Sequence, residues 1–306
     1  MFIFILKRIL KAIPVLFIVA TVTFFMIRLA PGGPFSSEKS ITPEAMASIN
    51  RYYGLDKPVI LQYADYLGQL IQGNLGPSFQ YPNRTVNELI ATAFPVSFEL
   101  GLSAMIFALV IGVISGVVAS CRQNKLGDYI PMSLVMLGIC IPSFVLGPVL
   151  IWIFSIHLGW FNVTGWGTFN DMVLPTITLG ALYAANIARL SRGGMLEVMS
   201  MDFIRTAKAK GLHEVWIVYK HSLKGGLLCV IAYIGPAIAG VITGSFVVET
   251  IFQVPGLGRL FVQAAFNRDY SMIMGTVLFY ALLIIILNLI VDIVQITLDP
   301  RRSFNG

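Results

Sequence analysis

Long apolar runs dominate this sequence and restrict its fold more than any other feature. Stretches close to the roughly 20 residues needed to cross a bilayer recur along the chain, and polar segments separate them. Hydrophobic residues make up 57% of the chain and charged residues 12%, and the mean hydropathy is +0.81. A soluble globular protein of this size carries about twice that charged fraction. The sequence therefore predicts an all-α, polytopic membrane protein.

Six apolar segments are long enough to be transmembrane helices. The first follows a basic N-terminus and is either a signal peptide or a retained helix; Pro31 directly after Ala30 is a poor cleavage context, which favours retention. Pro142 and Pro148 interrupt the third segment and predict a kink there. The predicted spans are 12–27, 95–119, 129–156, 172–188, 225–248 and 274–298.

The distribution of positive charge predicts the orientation of these spans. Three cations precede the first span, and residues 299–302 add two arginines after the last one. The segment 157–171 contains no Lys or Arg and is rich in tryptophan, as expected on the outer side. We therefore expect both termini in the cytoplasm. Seven of the 21 basic residues lie together in one predicted cytoplasmic loop, namely Arg189, Arg192, Arg205, Lys208, Lys210, Lys220 and Lys224.

The net charge of +6 is explained by this topology better than by nucleic-acid binding, because the basic residues lie in short segments beside apolar spans without interleaved aromatic residues. The three cysteines have no CxxC or Cys/His spacing, so neither a metal site nor a disulfide framework is predicted. The sequence has no GxxxxGK[ST] phosphate loop, no HExxH and no GxSxG motif. We predict that the chain has no catalytic residues.

Residues 31–94 form the longest polar region, and its acidic and basic residues nearly balance. A helix start at Thr42-Pro43-Glu44 and helical spacing of Ile60, Tyr63, Leu67 and Leu70 predict a small helical cap on the outer side. We expect a division into an N-terminal segment with the first span (1–30), this cap (31–94) and a membrane core (95–306).

A polar, basic segment at residues 202–224 interrupts the membrane core. Its first half places Phe203, Ile204, Ala207 and Gly211 on one arc of a helix, and its second half repeats the spacing in Val215, Trp216, Tyr219 and Leu223. Gly211 favours a stop between the halves because glycine accepts a positive φ. Two short helices are therefore predicted to meet at a glycine corner. Pattern alone also fits an amphipathic loop that lies on lipid headgroups.

The residue order in this segment resembles the EAA loop of ABC-importer permeases, which docks into a groove of the ATPase subunit. The match runs from Arg205-Thr206-Ala207 through Gly211 to His221-Ser222-Leu223. Arg205 and Thr206 stand where many members have Glu and Ala, and Lys224 stands where a proline is common; the form RTAKAKGL is that of the peptide-importer branch.

Three further segments resemble the B-type permease subunit of oligopeptide and dipeptide importers, namely RLAPGGP, YGLDKPVILQYADYLGQLIQGNLGPSF and FPVSFEL. This resemblance implies a type I ABC-importer permease fold in the bacterial inner membrane. It also implies a second homologous permease, two cytoplasmic ATPase subunits and an outer peptide-binding protein as partners. ATP and Mg would then bind the ATPase subunits, and this chain would carry no cofactor.

The resemblance also implies two sets of site residues. We expect a coupling loop at 193–224 whose docking residues are Phe203, Arg205, Thr206, Ala207, Lys208, Ala209, Lys210, Gly211 and Leu212. Ala207 would let the partner surface approach closely, and Arg205 or Lys208 would pair with acidic groups there. The segment VETIFQVPGLGRL resembles the part of the family beside the outer gate. The expected gate and substrate-path residues are Glu249, Phe252, Pro255, Gly256, Gly258, Tyr183 and Asn186.

Other functions remain open at this point. A dipeptide, nickel or other small-solute permease of the same branch has the same features, because a separate binding protein carries much of the specificity. A self-contained secondary carrier is expected to have inverted repeats and charges near midspan, and neither is evident. An intramembrane enzyme needs a nucleophile and a base, or a metal set, within the spans.

Overall fold

The computed structural model describes residues 2–29, 33–35 and 42–298, and within these ranges the chain is helical, with one isolated bridge between Pro77 and Thr85. Two π-helical segments occur, Ile151–His157 and Ile217–Ser222. The α-helices are α1 (Phe2–Leu29), α2 (Pro43–Tyr52), α3 (Val59–Ile71), α4 (Val86–Cys121), α5 (Leu126–Cys140), α6 (Ser143–Leu150), α7 (Phe169–Met199), α8 (Asp202–Ala209), α9 (Glu214–Trp216), α10 (Leu223–Gly226), α11 (Leu228–Thr243), α12 (Phe246–Ile251), α13 (Leu257–Asn267) and α14 (Tyr270–Leu298).

Five helical stretches within the described residues are long and apolar enough to cross a membrane, and a bent pair of helices adds a sixth if the pair counts as one span. The five are α1, α4, α7, α11 together with α12, and α14. The bent pair consists of α5 and of α6 with its π-helical extension, at an angle of 113°. Pro142 lies at the break, where Ile141 is extended, because a proline disfavours helix at the residue before it. The predicted kink is confirmed at Pro142, whereas Pro148 lies inside α6.

The bent pair joins two long helices, α4 and α7, that run in the same direction. Glu99 and Cys121 are 22 residues apart on α4, which separates them by about 33 Å along the helix. Trp166, just before α7, donates a hydrogen bond of 3.1 Å from Nε1 to Glu99 Oε2. Met199, the last residue of α7, lines the same cavity as Cys121. Since α7 begins beside the first half of α4 and ends beside its last residue, the two helices run in the same direction, and the segment between them must return along their length. This return fits the bent pair as the third of the six predicted spans; the described residues hold five such stretches, or six if the bent pair counts as one.

The described chain separates into two compact units. Unit 1 comprises Met1–Pro95 and Arg259–Ile286, and unit 2 comprises Val96–Gly258 and Leu287–Gly306. The domain division expected from the sequence also changes at residue 95, although it places 259–286 in the membrane core. The residues 299–302 used to predict the C-terminal orientation, and residues 30–32 of the RLAPGGP segment, lie outside the described residues.

Unit 1 has an aromatic core around the fully buried Phe24 of α1. The Phe24 ring stacks on Tyr66 of α3 at a centroid distance of 5.6 Å and contacts Tyr63 at 5.1 Å. Ser78 Oγ donates a hydrogen bond of 2.5 Å to Asp269 Oδ2, and both residues are buried. The predicted cap helices are confirmed as α2, which begins at Pro43, and α3.

Unit 2 packs α4 closely against α7 through small residues. A Cβ atom on Gly112 would lie 2.7 Å from the carbonyl oxygen of Ala184, and one on Gly116 would lie 2.5 Å from that of Ala188. Such distances exclude any side chain larger than hydrogen at these two positions without movement of α7. The buried core around this contact includes Leu100, Ala104, Ala108 and Ile187.

Candidate functional site: a basic hairpin and a buried turn

A basic hairpin at residues 202–224 follows α7. Helix α8 ends at Ala209, and Gly211 turns the chain with φ of +76°. The return arm begins with α9 and continues through the π-helical segment Ile217–Ser222 into α10. The predicted glycine corner between two helices is confirmed, because glycine occupies this left-handed conformation without steric cost.

The interior of the hairpin is a small apolar contact between its two arms. Ile204 and Ala207 of α8 pack with Ile217 of the return arm, and all three are buried. Ala207 was expected to let a partner surface approach. In the structure it faces the return arm of its own chain, so its small side chain allows close packing inside the hairpin instead.

The other residues predicted for coupling are exposed on the hairpin surface. Arg205 forms an exposed ion pair with Asp202 at 3.3 Å, and Thr206 Oγ1 donates to the Asp202 carbonyl at 3.1 Å. These contacts stay within one turn of α8 and leave the basic surface accessible. The exposed members of the predicted set are Phe203, Arg205, Thr206, Lys208, Ala209, Lys210, Gly211 and Leu212.

Several large apolar side chains also point outward from the hairpin. Val215 and Tyr219 are each 69% exposed, Trp216 is 49% exposed and Phe203 is 48% exposed. Lys220 Nζ lies 5.5 Å from the centroid of the Trp216 ring. The arc of Val215, Trp216 and Tyr219 predicted from periodicity therefore forms an outer face. An apolar cluster rimmed by lysines and an arginine is typical of a surface that another protein or a membrane covers.

A cavity of about 410 Å³ lies beneath the hairpin. Its wall includes Cys121 and Arg122 from the end of α4, Met199 from α7, and Lys208 and Glu214 from the two arms. The hairpin thus contacts the ends of two spans around an open space. A displacement of the hairpin would therefore change its contacts with the ends of α4 and α7.

The predicted gate segment folds into a compact, buried turn in unit 2. Glu249 is fully buried, and its carboxylate accepts a hydrogen bond from the Ser245 hydroxyl. Ser97 Oγ of α4 accepts a hydrogen bond of 2.8 Å from the Leu257 N–H. A Cβ atom on Gly256 would collide with the Glu249 carboxylate, and one on Gly258 would lie 2.6 Å from Phe246 Cα and 3.0 Å from Glu249 Oε2. Glu249, Gly256 and Gly258 are thus brought together in the structure.

The remaining gate residues are placed differently. Phe252 is buried, and its carbonyl accepts a hydrogen bond of 3.3 Å from the Gly165 N–H. Its ring lies against Gly147 of α6, where a Cβ atom would be 3.3 Å from Phe252 Cε2. Pro255 is exposed. Ser97 was not predicted from the sequence. A serine inside an apolar span carries no local pattern that indicates the distant backbone N–H from which it accepts a hydrogen bond.

Tyr183 and Asn186 contact α11. A Cβ atom on Gly240 of α11 would lie 2.9 Å from the Tyr183 hydroxyl. Asn186 Oδ1 accepts a hydrogen bond of 3.0 Å from Arg189 Nη2, and Asn186 also hydrogen-bonds Tyr233 of α11. Both residues therefore form polar links between α7 and α11, as polar side chains commonly do between transmembrane helices.

Comparison with known proteins places this architecture in a family. Residues 90–304 match the model of the binding-protein-dependent transport system inner membrane component, and residues 1–101 match the model of the N-terminal part of such membrane components. The chain belongs to this transporter family. It is accordingly a multi-pass inner-membrane protein, and the basic hairpin is part of a transport permease.

Relatives within this family match along almost the whole chain. The oligopeptide transport system permease protein OppB of Haemophilus influenzae is 51% identical over 303 residues, covering 98% of this chain and 99% of the relative. The OppB protein of Escherichia coli is 48% identical over the same length and coverage. The dipeptide transport system permease protein DppB of Bacillus subtilis is 42% identical over 298 residues, covering 97% of each chain.

Solved transporter structures share the fold at lower identity. A chain of the MetNI methionine ABC transporter in an inward-facing conformation has a TM-score of 0.56 at 20% identity, covering 67% of this permease and 94% of that chain. A chain of an amino acid ABC transporter with histidines has a TM-score of 0.54 at 14% identity, covering 68% and 94%. The predicted ABC-importer permease fold is confirmed.

Proposed function

We propose that this chain is a permease subunit of an ATP-driven importer of peptides, with oligopeptides as the main substrates. The observation that carries the proposal is its 51% identity to an oligopeptide permease over 98% of its length. A dipeptide importer is the second candidate, supported by the 42% identity to a dipeptide permease. In both candidates the chain is one of the two permease subunits that together form the path for the peptide across the membrane.

Energy for transport would come from partner subunits. In this proposal two cytoplasmic ATPase subunits bind ATP and Mg, a second homologous permease completes the path, and an outer binding protein delivers peptide. Neither a catalytic set nor a cofactor is assigned to this chain. The concentration of seven basic residues between 189 and 224 supports a cytoplasmic hairpin and cytoplasmic termini.

The exposed face of the basic hairpin would dock into the ATPase. Its apolar side chains supply area to bury, and its cations supply partners for acidic groups on the ATPase. The cavity beneath it lets the hairpin move against the ends of α4 and α7. ATP-driven closure of the ATPase pair would thereby shift the spans between inward-open and outward-open states.

The test is reconstitution of the complete transporter in proteoliposomes with labelled peptides of two to six residues. We expect uptake that requires ATP and the binding protein, and that is fastest for peptides longer than two residues. Uptake that continues without ATP would identify a secondary carrier instead. A preference for dipeptides would favour the second candidate.

Docking is tested separately by affinity purification of the solubilised complex. Replacing the outward-facing Val215 and Tyr219 by Asp should release the ATPase while the second permease remains bound. Replacing Arg84, an exposed residue outside the hairpin, by Asp serves as the control and should release neither. Retention of the ATPase by the Val215/Tyr219 variant would contradict the assignment of this face.

A further inference from the structure

Unit 1 contains a cavity of about 270 Å³, here called the cap cavity, that the functions assigned above do not use. Its lining comes from the outer end of α1, from α3 and from the segments around them. Aromatic side chains form much of its wall, including Phe24, Tyr53, Tyr66 and Phe79. The wall of the cavity is thus partly apolar. It also carries charged residues, and most of these are cations.

Three cations line the cap cavity and one carboxylate opposes them. The cations are Arg28, Arg51 and Lys57, and the carboxylate is Asp65. Asp65 is already engaged, because Lys57 Nζ lies 2.6 Å from its Oδ2. Among the described residues, Arg28 and Arg51 therefore have no further carboxylate in the cavity wall, so that the cavity favours an anion.

Arg28 is held in a fixed orientation with one nitrogen unused. Its Nε and Nη2 donate to Gln62 Oε1 at 3.1 and 2.7 Å, and its guanidinium carbon lies 3.6 Å from the centroid of the Phe24 ring. Gln62 is fixed in turn by donating to the carbonyls of Leu55 and Lys57. The remaining nitrogen, Nη1, is buried and has no hydrogen-bond partner among the described residues.

A second donor in the same wall also lacks a partner. The Tyr66 hydroxyl is buried without a hydrogen bond among the described residues. Burial raises the pKa of Tyr66, so the hydroxyl keeps its proton at physiological pH and can donate. Buried donors without acceptors cost free energy. An acceptor group that entered the cavity and accepted hydrogen bonds from both Arg28 Nη1 and the Tyr66 hydroxyl would remove that cost.

We propose that the cap cavity binds the C-terminal carboxylate of a peptide, with Arg28 Nη1 and the Tyr66 hydroxyl as hydrogen-bond donors. A carboxylate supplies two acceptor oxygens and the negative charge that the surplus cations favour. The volume exceeds what a carboxylate needs and leaves room for the terminal residue, whose side chain meets aromatic walls. The inference rests on the proposed function, because the C-terminal carboxylate is the acidic group common to linear peptides.

The experiment measures ATP-driven uptake of one tripeptide in two forms, as the free acid and as the C-terminal amide, in proteoliposomes of the complete transporter. The variants are Arg28→Gln, which removes the charge, and Tyr66→Phe, which removes the hydroxyl and keeps the stacked ring. Arg84→Gln, an exposed residue of the same unit outside the cavity, is the matched control. The binding protein is identical in all samples, so differences between variants come from the permease.

We expect Arg28→Gln to raise the KM for the free acid about tenfold, as loss of a charged hydrogen bond predicts, and to leave the KM for the amide unchanged. Tyr66→Phe should raise the free-acid KM by a smaller factor. Equal effects on acid and amide would show that Arg28 only stabilises the aromatic core, and an unchanged KM for the acid would also overturn the proposal. Failure of the wild type to import either form would instead contradict the proposed function.

Discussion

Arg192 of α7 holds Asp128 of α5 in a bidentate ion pair. Nε donates to Oδ1 and Nη2 donates to Oδ2, each at 2.7 Å, and the Asn124 N–H donates to Oδ2 at 3.0 Å. The Asp128 side chain is 3% exposed and that of Arg192 is 30% exposed. The pair fixes the start of α5 to α7, about two turns before α7 ends at Met199.

Replacing Asp128 by Asn should destabilise the protein strongly. The change leaves a largely buried guanidinium without its counter-charge, which costs about 3–5 kcal/mol for a buried pair. Thermal unfolding of the purified transporter in detergent measures the loss. The exchange Asp128→Arg with Arg192→Asp should recover part of it. If the double variant recovers no stability, the contribution of the pair to stability comes from the neighbours of the two side chains and not from their mutual attraction.

Two adjacent glycines of α7 should respond oppositely to alanine. A Cβ atom on Gly194 would collide with the carbonyl oxygen of Gly226, whereas one on Gly193 would meet no atom within 4 Å. Gly194→Ala should therefore lower the free energy of unfolding by about 1–3 kcal/mol through overpacking. Gly193→Ala should raise it by up to about 1 kcal/mol through helix propensity. Similar melting temperatures for both variants would contradict the close contact of α7 with α10.

Removal of the Ser97 hydroxyl should loosen the buried turn. Ser97→Ala leaves the buried Leu257 N–H without its acceptor, a loss of about 1–3 kcal/mol. Thr250→Ala is the control, since the Thr250 hydroxyl bonds only a carbonyl of its own exposed helix turn. Hydrogen exchange at the Leu257 amide reports the effect locally, and unchanged protection in Ser97→Ala would refute it.

The packing inside the basic hairpin predicts a sharp difference between two alanines of α8. Ala207→Asp places a carboxylate between Ile204 and Ile217 and should unfold the hairpin, because a buried unpaired charge is not tolerated. Ala209→Asp is exposed and should leave it folded. Limited proteolysis between residues 202 and 224 distinguishes the two. Cleavage at equal rates would place Ala207 at the surface.

The sequence predicted the helical elements well because apolar periodicity and proline or glycine breaks act locally. The spans, the break at Pro142 and the corner at Gly211 all follow from residues within one or two turns. Periodicity did not show which face of the hairpin turns inward. Val215, Trp216 and Tyr219 share an arc as predicted, yet Ile217 is the residue that the opposite arm covers.

Contacts between distant parts of the chain were beyond local patterns. Asp128 directly precedes the predicted span 129–156, and its partner lies 64 residues later. Glu249 was expected at an outer gate, and the structure buries its carboxylate against two glycines. In both cases the burial of a charged side chain depends on residues that are distant in the sequence. Hydropathy averaged over a local window contains no information about such residues.

The hydrogen bond between Ser78 and Asp269 joins residues that are 191 positions apart. Ser78 leaves the ribosome early, whereas Asp269 is synthesised only after most of the spans have been made. Unit 1 therefore cannot form this buried contact until nearly the entire polypeptide has been synthesised. Maturation of unit 1 is therefore a late event in biogenesis, since a nascent chain that stops short of Asp269 lacks the acceptor of the Ser78 hydrogen bond.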